Sequence, residues 1–334
     1  MAHVEDPFTA PSIRWGILGA GYIAGAFADA VNSHTRSPLV AVGSRNRDRV
    51  ERFATAHGIP TTHLGYRGLV EDSQVDAVYV ATPHSEHRAH ALLAIAAGKH
   101  VLVEKAFTRN TGEAEEVFAA ARAAGVFVME AMWTRFLPHV AALRQVIAAG
   151  EIGEIVNLRA DHGQWFEPNP TSRLFDPKLA GGALLDLGVY PVSFAHDLLG
   201  VPDAITSVGK LTDTGVDGQV SIILSYGERT QAALSTTLWA KTPTTASISG
   251  TEGHIRIAGD FYRPTSFVVT RRDGGRWTFD RPASRGMQFE AAEVARRVAA
   301  GETESPSMTW ANTLEVMRTL DTVRAQIGLV YPGE

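Results

Sequence analysis

Ile13-Arg14-Trp15-Gly16-Ile17-Leu18-Gly19-Ala20-Gly21-Tyr22-Ile23-Ala24 has the grammar of a strand, a tight turn and a helix start. An apolar run of strand length is followed at once by Gly-x-Gly-x-x-Ala, the phosphate loop of a Rossmann fold with alanine in third place. The first glycine permits the tight turn. The second lets backbone approach a pyrophosphate that faces the positive end of the following helix. Gly19, Gly21, Tyr22 and Ile23 are therefore expected to contact a dinucleotide. An ordinary Gly-rich turn would fit the string, but not its setting at the head of a long strand–helix alternation.

That alternation runs to about residue 130. Residues 39–44, 76–81, 100–105 and 126–130 join 13–18 as short apolar segments rich in valine and isoleucine, the composition of buried strands. Helical patterns lie between them at 22–32, 46–57, 86–97 and 111–124, and Gly58, Gly98 and Gly125 follow as C-caps. The reading is an α/β fold whose N-terminal Rossmann domain, residues 1–130, is a parallel sheet covered by helices on both faces. Past residue 150 the pattern becomes strand after strand, at 154–162, 204–212, 219–226, 230–238, 244–250, 253–258 and 266–271. Tyr-Gly-Glu-Arg, Gly-Thr-Glu-Gly and Arg-Asp-Gly-Gly turns punctuate it, and helical stretches remain at 183–199, 287–300 and 308–327. Residues 131–334 should form an α+β domain with a large, mainly antiparallel open sheet.

A chain of 334 residues exceeds what one core usually organises, which agrees with two domains. Hydrophobic residues make up 45% and charged residues 20%, a globular balance. No apolar run approaches the roughly 18 residues of a membrane span, and the N-terminal leader lacks the apolar core of a signal peptide. The absence of cysteine removes disulfides, thiolate zinc, iron–sulfur ligation and a cysteine nucleophile, and it suits a cytoplasmic address. A net charge of −5 and a pI near 6.2 argue against a nucleic-acid partner, and no membrane partner is expected.

The end of the second strand selects the dinucleotide. An acidic residue there, about 20 residues past the motif, would hold the ribose 2′-OH of NAD. Ser44-Arg45-Asn46-Arg47 stands there instead, and a hydroxyl with guanidinium groups suits a 2′-phosphate. NADP is the expected cofactor, with Ser44 and Arg45 as contacts and NAD as the alternative. The plainer reading is a solvated helix start.

Two further stretches carry acid–base chemistry. Val103-Glu104-Lys105 ends a predicted parallel strand, on the carboxyl edge where open α/β sheets bind ligands. A lysine there is poor core filler, because lysine is seldom buried without a partner. Gly181-Gly182-Ala183-Leu184-Leu185-Asp186-Leu187-Gly188-Val189-Tyr190, if helical, puts Asp186 and Tyr190 one turn apart on one face. Taking a hydride from an alcohol carbon requires a base for the hydroxyl proton, and the reverse reaction needs the same group as an acid. A phenol serves at neutral pH only where an ammonium favours its phenolate, so Lys105 would supply that charge or itself be the base. Asp186 would orient Tyr190 or hold a second substrate hydroxyl. Alone, Tyr190 reads equally well as a packed aromatic.

Ala81-Thr82-Pro83-His84-Ser85-Glu86-His87, the 97–107 segment and Met129-Glu130-Ala131-Met132-Trp133-Thr134-Arg135-Phe136 extend the pattern. The 182–191 segment, Gly250-Thr251-Glu252-Gly253 and Gly328-Leu329-Val330-Tyr331-Pro332 continue it to the end. With the Gly19–Ala24 loop they make nearly the whole chain resemble the Gfo/Idh/MocA oxidoreductase family, within it the dimeric dihydrodiol dehydrogenases and NADP-dependent D-xylose dehydrogenases. The resemblance implies a homodimer that transfers a hydride between NADP and a carbinol carbon of a sugar, cyclitol or trans-dihydrodiol, and it assigns substrate binding and dimerisation to the 131–334 domain. It also implies Lys105 and Tyr190 as the catalytic pair, with Asp186 accompanying. Thr82, Pro83, His84 and His87 would lie along the cofactor, Glu104 and Lys105 near the nicotinamide, and Trp133 and Arg135 at the active-site mouth. One departure concerns the turn after Lys105: relatives commonly read Glu-Lys-Pro, and proline accepts a cis bond more cheaply than the Ala106 found here. The rival reading is a non-catalytic dinucleotide-binding regulatory protein, which would be free to lose Lys105 or Tyr190; both are present.

His84, His87 and His90 are spaced so that they drift around a helix, and no carboxylate joins them at a ligand spacing, so no metal is expected. Trp133, Trp165, Phe166, Phe175 and Phe289 are candidates for a substrate lining, with core or dimer packing as the competing reading. The aperiodic loop 167–179 is expected to close over the site.

Overall fold

The computed structural model describes residues 4–280 and 283–334. The chain divides into two compact units, one from Glu5–Trp133 with Arg285–Leu314, the other chiefly from Thr134–Ser284 with Glu315–Glu334.

In the first unit, Trp15–Leu18 (β1), Leu39–Ser44 (β2), Thr61–Leu64 (β3), Ala77–Val80 (β4), His100–Glu104 (β5) and Val128–Ala131 (β6) form a parallel sheet ordered β3-β2-β1-β4-β5-β6. β1, β4 and β6 are buried at every position, as strands covered on both faces must be. The order reverses between β1 and β4, so the loops leaving their carboxyl ends diverge and open a crevice. Tyr22–His34 (α1), Arg47–His57 (α2), Arg67–Val70 (α3), His87–Ala96 (α4) and Thr111–Ala124 (α5) make the connections. Asn46 and Asn110 cap α2 and α5 by accepting from backbone N–H groups three residues on, and Gly58 and Gly125 end them in the left-handed conformation. Under α1, Phe27 stacks on Tyr79 at 3.9 Å and meets Trp15 edge-on at 5.2 Å.

The second unit begins with Pro138–Ala148 (α6). Its strands are Ile155–Gly163 (β7), Ala204–Leu211 (β8), Asp217–Tyr226 (β9), Thr230–Thr237 (β10), Ala246–Gly250 (β11), Gly253–Ile257 (β12), Phe267–Arg271 (β13) and Arg276–Phe279 (β14). They form one sheet ordered β14-β13-β12-β11-β7-β10-β9-β8, antiparallel throughout except for β7 beside β10. β9 alternates buried and exposed positions, as a sheet covered on one face does. A π-type turn, Leu184–Gly188, runs into Val189–Leu199 (α7), and both pack on β7 and β10.

Sequence reading passes over four elements. β3 is a half-exposed edge strand, Thr-Thr-His-Leu, without an apolar run, and β14 and α3 are only four residues each. α6 starts on a proline next to the expected boundary. The contiguous domain expected over 131–334 also differs from the contacts. Met287–Ala299 (α8) packs on α1, and the division falls inside Trp310–Ile327 (α9), whose Trp310 donates to Val128 O at 2.9 Å. The apolar spacing of α8 marks it as a helix, but nothing in that spacing says which sheet it returns to. No helix among the described residues is long and apolar enough to cross a membrane.

Candidate active site

β1 delivers the chain into Gly19, whose φ is +106° and where a Cβ would lie 2.5 Å from the Ala81 carbonyl oxygen, so only glycine fits. Gly19 N–H donates to Gly43 O at 3.0 Å and Ala81 N–H to Leu18 O at 2.8 Å, which sets this turn at the β1/β4 crevice. Gly21 caps α1 without a side-chain hydrogen bond, and a Cβ there would touch nothing within 4 Å. Nothing among the described residues asks for glycine at that position, whereas a phosphate lying against the first-turn N–H groups of α1 would. Tyr22 beside it is 89% exposed, and Ile23 is half-buried.

At the end of β2 the buried Ser44 hydroxyl accepts from Asn46 N–H at 3.2 Å. Arg45 is exposed, and Arg47 leans on Glu51 at 3.7 Å. Tyr66, absent from the sequence reading, is a neighbour of Arg45. Burial pushes its phenol up and the Arg45 guanidinium opposes the shift, while its ring meets His90 edge-on at 4.5 Å.

The loop after β4 brings Thr82 Oγ1 to His90 Nδ1 at 3.0 Å, and Pro83 leads into a short turn, His84–Glu86. His84 is buried, with its ring nearly perpendicular to that of His87. His87 is 1% exposed. Its Nδ1 lies 2.9 Å from Ala106 O and its Nε2 2.8 Å from Thr82 O, and burial pulls the imidazole down to about 4. As a neutral ring His87 has one N–H for these two carbonyls, and it sits wedged between the loop after β4 and the loop after β5. Glu104 is also turned inward, accepting from the Tyr79 hydroxyl and, at 3.1 Å, from Lys105 N–H. Glu130 on β6 accepts from Phe107 N–H at 3.1 Å. The turn around Lys105 is therefore fastened at three successive residues; its Lys105–Ala106 peptide is cis, and Lys105 itself is half-buried. Trp133 and Phe289, also in this unit, are half-buried.

In the second unit every residue of 181–190 is buried. Asp186 sits in the π-type turn and Tyr190 in the first turn of α7, so the run is helical as expected, but it is wider between them than an α-helix. Asp186 Oδ1 accepts from both Arg173 Nη1 and Nη2 at 3.1 Å. Arg173 belongs to the loop 167–179, whose Leu174 and Phe175 pack with Phe166, Ala183, Leu187 and Leu238. The Tyr190 ring lies 4.6 Å from Tyr262 and 5.3 Å from His162, and those two stack at 4.3 Å. Gln164 donates to His162 Nε2 at 3.0 Å. Sequence reading misses this aromatic box, because a strand end and a loop assemble it with no spacing to announce it. Trp165 is 62% exposed. Arg135 is buried, with Nε donating to Ser193 Oγ at 3.2 Å and Nη1 3.9 Å from Asp197, which Arg144 grips with a fork of N–H groups. Within this unit Arg135 braces α7 one turn beyond Tyr190.

Residues 13–132 match the profile of an oxidoreductase family with an NAD-binding Rossmann fold, and residues 140–256 match the Gfo/Idh/MocA C-terminal domain. A trans-1,2-dihydrobenzene-1,2-diol dehydrogenase from Mus musculus is 37% identical over 336 residues, covering 97% of this chain and 99% of the relative. The chain belongs to the Gfo/Idh/MocA oxidoreductase family. The enzyme of the same name from Homo sapiens is 35% identical over 97% of this chain and 99% of its own. A 3-ketoreductase from Actinomadura kijaniata, solved with NADP and TDP-benzene, superposes with a TM-score of 0.86 at 28% identity, covering 95% of this chain and 98% of that one. Its tyrosine-to-phenylalanine and lysine-to-alanine variants have been crystallised with the same two ligands. As a Gfo/Idh/MocA member this chain is an NAD(P)-dependent oxidoreductase, and its dinucleotide-binding fold is the parallel-sheet unit.

Proposed function

We propose that this chain moves a hydride between NADP and a carbinol carbon of a trans-dihydrodiol, sugar or cyclitol, with Lys105 and Tyr190 handling the hydroxyl proton. The observation that carries the reading is Lys105 at the carboxyl end of β5, on a turn whose flanking backbone is fastened by Glu104, His87 and Glu130. The identity with dihydrodiol dehydrogenases over nearly the full length supports the diol, and the NADP-bound 3-ketoreductase supports NADP and carbinol–carbonyl chemistry.

NADP, when bound, supplies the hydride acceptor for oxidation and the donor for reduction. Gly19 and Gly21 admit its pyrophosphate against α1, with Tyr22 and Ile23 flanking it. Ser44 and Arg45 receive the 2′-phosphate, with Tyr66 beside Arg45. Thr82, Pro83 and His84 border the nicotinamide, while His87 and Glu104 act from behind by holding the loops. The Lys105 ammonium favours the Tyr190 phenolate, which takes the hydroxyl proton in oxidation and returns it in reduction. Asp186, paired with Arg173, holds a second substrate hydroxyl. Trp133, Trp165, Phe166 and Phe289 supply apolar lining, and Arg135 fixes the helix that bears Tyr190. A panel of trans-dihydrodiols, pentoses, hexoses and inositols followed by NADPH fluorescence tests the reading. NADPH binding without turnover of any member would favour a regulatory protein instead.

In this reading Arg45→Ala lowers kcat/KM with NADP by about ten- to a hundredfold and leaves NAD turnover nearly unchanged, the weight of a lost charged hydrogen bond. Initial rates with both cofactors check this, and a tenfold preference of the unmodified enzyme for NAD would refute it. We also propose a cytoplasmic homodimer in which the outward face of β8 and β9, with Val208 71% and Ile223 39% exposed, meets its twin. Light scattering at micromolar concentration should give twice the chain mass; a monomer there counts against it.

A further inference from the structure

Asp217, the first residue of β9, is a fully buried carboxylate that the scheme above does not use. Its Oδ2 accepts from Leu184 N–H at 2.6 Å, at the head of the π-type turn that carries Asp186. Its Oδ1 makes no well-formed hydrogen bond among the described residues, although the Ala183 and Asp217 amides lie near the carboxylate, and a Cβ on Gly182 would fall 2.0 Å from it. Gly182 has a φ of +116°, so glycine is required at this approach on both counts. The Gly181-Gly182 pair is held from another side by Tyr331, whose hydroxyl donates to Gly181 O at 2.6 Å.

The charged and titratable groups around Asp217 come from α9 and the C-terminal tail that follows it. Arg324 on α9 lies over the Tyr331 ring at 4.6 Å, and it pairs with Glu334 and, at 3.7 Å, with Asp321. Tyr331 N–H donates to Glu334 at 3.0 Å. Burial, and after it the charge of Asp217, pushes the Tyr331 phenol well up. Burial likewise pushes Asp217 up to about 7, against the amides of Leu184, Asp217 itself and Ala183 and the charge of Arg324.

We infer that Asp217 is a positioning residue for the 181–190 segment: as a carboxylate it grips the Leu184 amide and holds Asp186 and Tyr190 in register, and protonation slackens that grip. A charge-assisted hydrogen bond is roughly twice as strong as its neutral counterpart, so the ionised form fixes the turn more tightly. The inference rests on Tyr190 being the group that handles the proton.

Stability and activity then move in opposite directions with pH. The folded-state pKa of Asp217 lies above its unfolded value, so the folded chain binds the extra proton across the interval between them. Its contribution to stability is greatest below the unfolded pKa and declines as pH rises to about 7. Positioning improves over the same interval. Asp217→Asn keeps the shape and an acceptor but cannot ionise. Its kcat should match the unmodified enzyme near about pH 6 and fall about tenfold below it near about pH 8, with KM little changed. Across the same range the melting temperature of the unmodified enzyme should fall relative to the variant. A purely structural aspartate would instead give one constant kcat ratio and parallel melting curves, and that result overturns the inference. Should Asp217→Asn fail to fold, carbon-13 NMR of the aspartate-labelled unmodified enzyme decides. One carboxyl titrating near neutrality supports the proposal, and none above about pH 6 sinks it. If Tyr190→Phe keeps its activity, the mechanism falls while the melting and carboxyl titrations still report on Asp217. If those titrations are flat and Tyr190→Phe is inactive, only the positioning role falls.

Discussion

Tyr190→Phe should lower kcat by about two to four orders of magnitude on the best substrate found, the usual weight of a general acid–base group. The substitution removes one oxygen. The ring stays packed against His162 and Tyr262, so the melting temperature should change little. NADPH affinity, read by fluorescence quenching, should also hold, because Tyr190 and the Gly19–Gly21 turn belong to different compact units. A variant that binds NADPH normally, melts normally and scarcely turns over would assign the proton to this phenol. Retention of most of the activity would make Tyr190 structural and move the acid–base role to Lys105 or His84.

Lys105→Met should do at least as much damage, since the charge that favours the phenolate disappears with the ammonium. Methionine roughly preserves the length of the side chain. The backbone of this turn is held by Lys105 N–H donating to Glu104, by Phe107 N–H donating to Glu130 and by the His87 ring against Ala106 O, and none of these contacts uses the Lys105 side chain. The loss should therefore fall on kcat rather than on folding. The stronger test is the double variant. Residues that act as one unit lose their joint contribution when either is removed, so Lys105→Met with Tyr190→Phe should be no more than about tenfold worse than the poorer single. Losses that multiply would mean two independent roles and would defeat the shared mechanism.

The Gly19–Ala24 turn, most of the strands and the buried 181–190 helix were legible in sequence because each is local: its chemistry and its spacing occupy the same few residues. Other features were not. β3 pairs at an edge with little apolar character, and α8 carries a plain amphipathic pattern that cannot name its partner helix. His162 and Tyr262 are 100 residues apart and meet only through the sheet, so no motif contains both. His87 and Glu104 stand in segments that the family resemblance places along the cofactor, yet their side chains are spent on backbone groups and on Tyr79. A motif records that a residue type recurs beside a ligand; it does not record whether the side chain faces the ligand or braces the loop behind it. Arg135 poses the same ambiguity, and here its guanidinium is fastened to α7.

The interleaving of the two units also bears on how the molecule is made. A ribosome releases Glu5–Trp133 first, then the long Thr134–Ser284 stretch, and only afterwards Arg285–Leu314, the piece that completes the first unit. Until α8 clears the exit tunnel, the side of α1 that it covers faces solvent on the nascent chain. Glu315–Glu334, which completes the other unit, follows later still. The first unit therefore cannot mature until most of the second has been made. The growing polypeptide passes through a stage in which both carry unfinished apolar surface, the condition in which nascent chains depend most on chaperones.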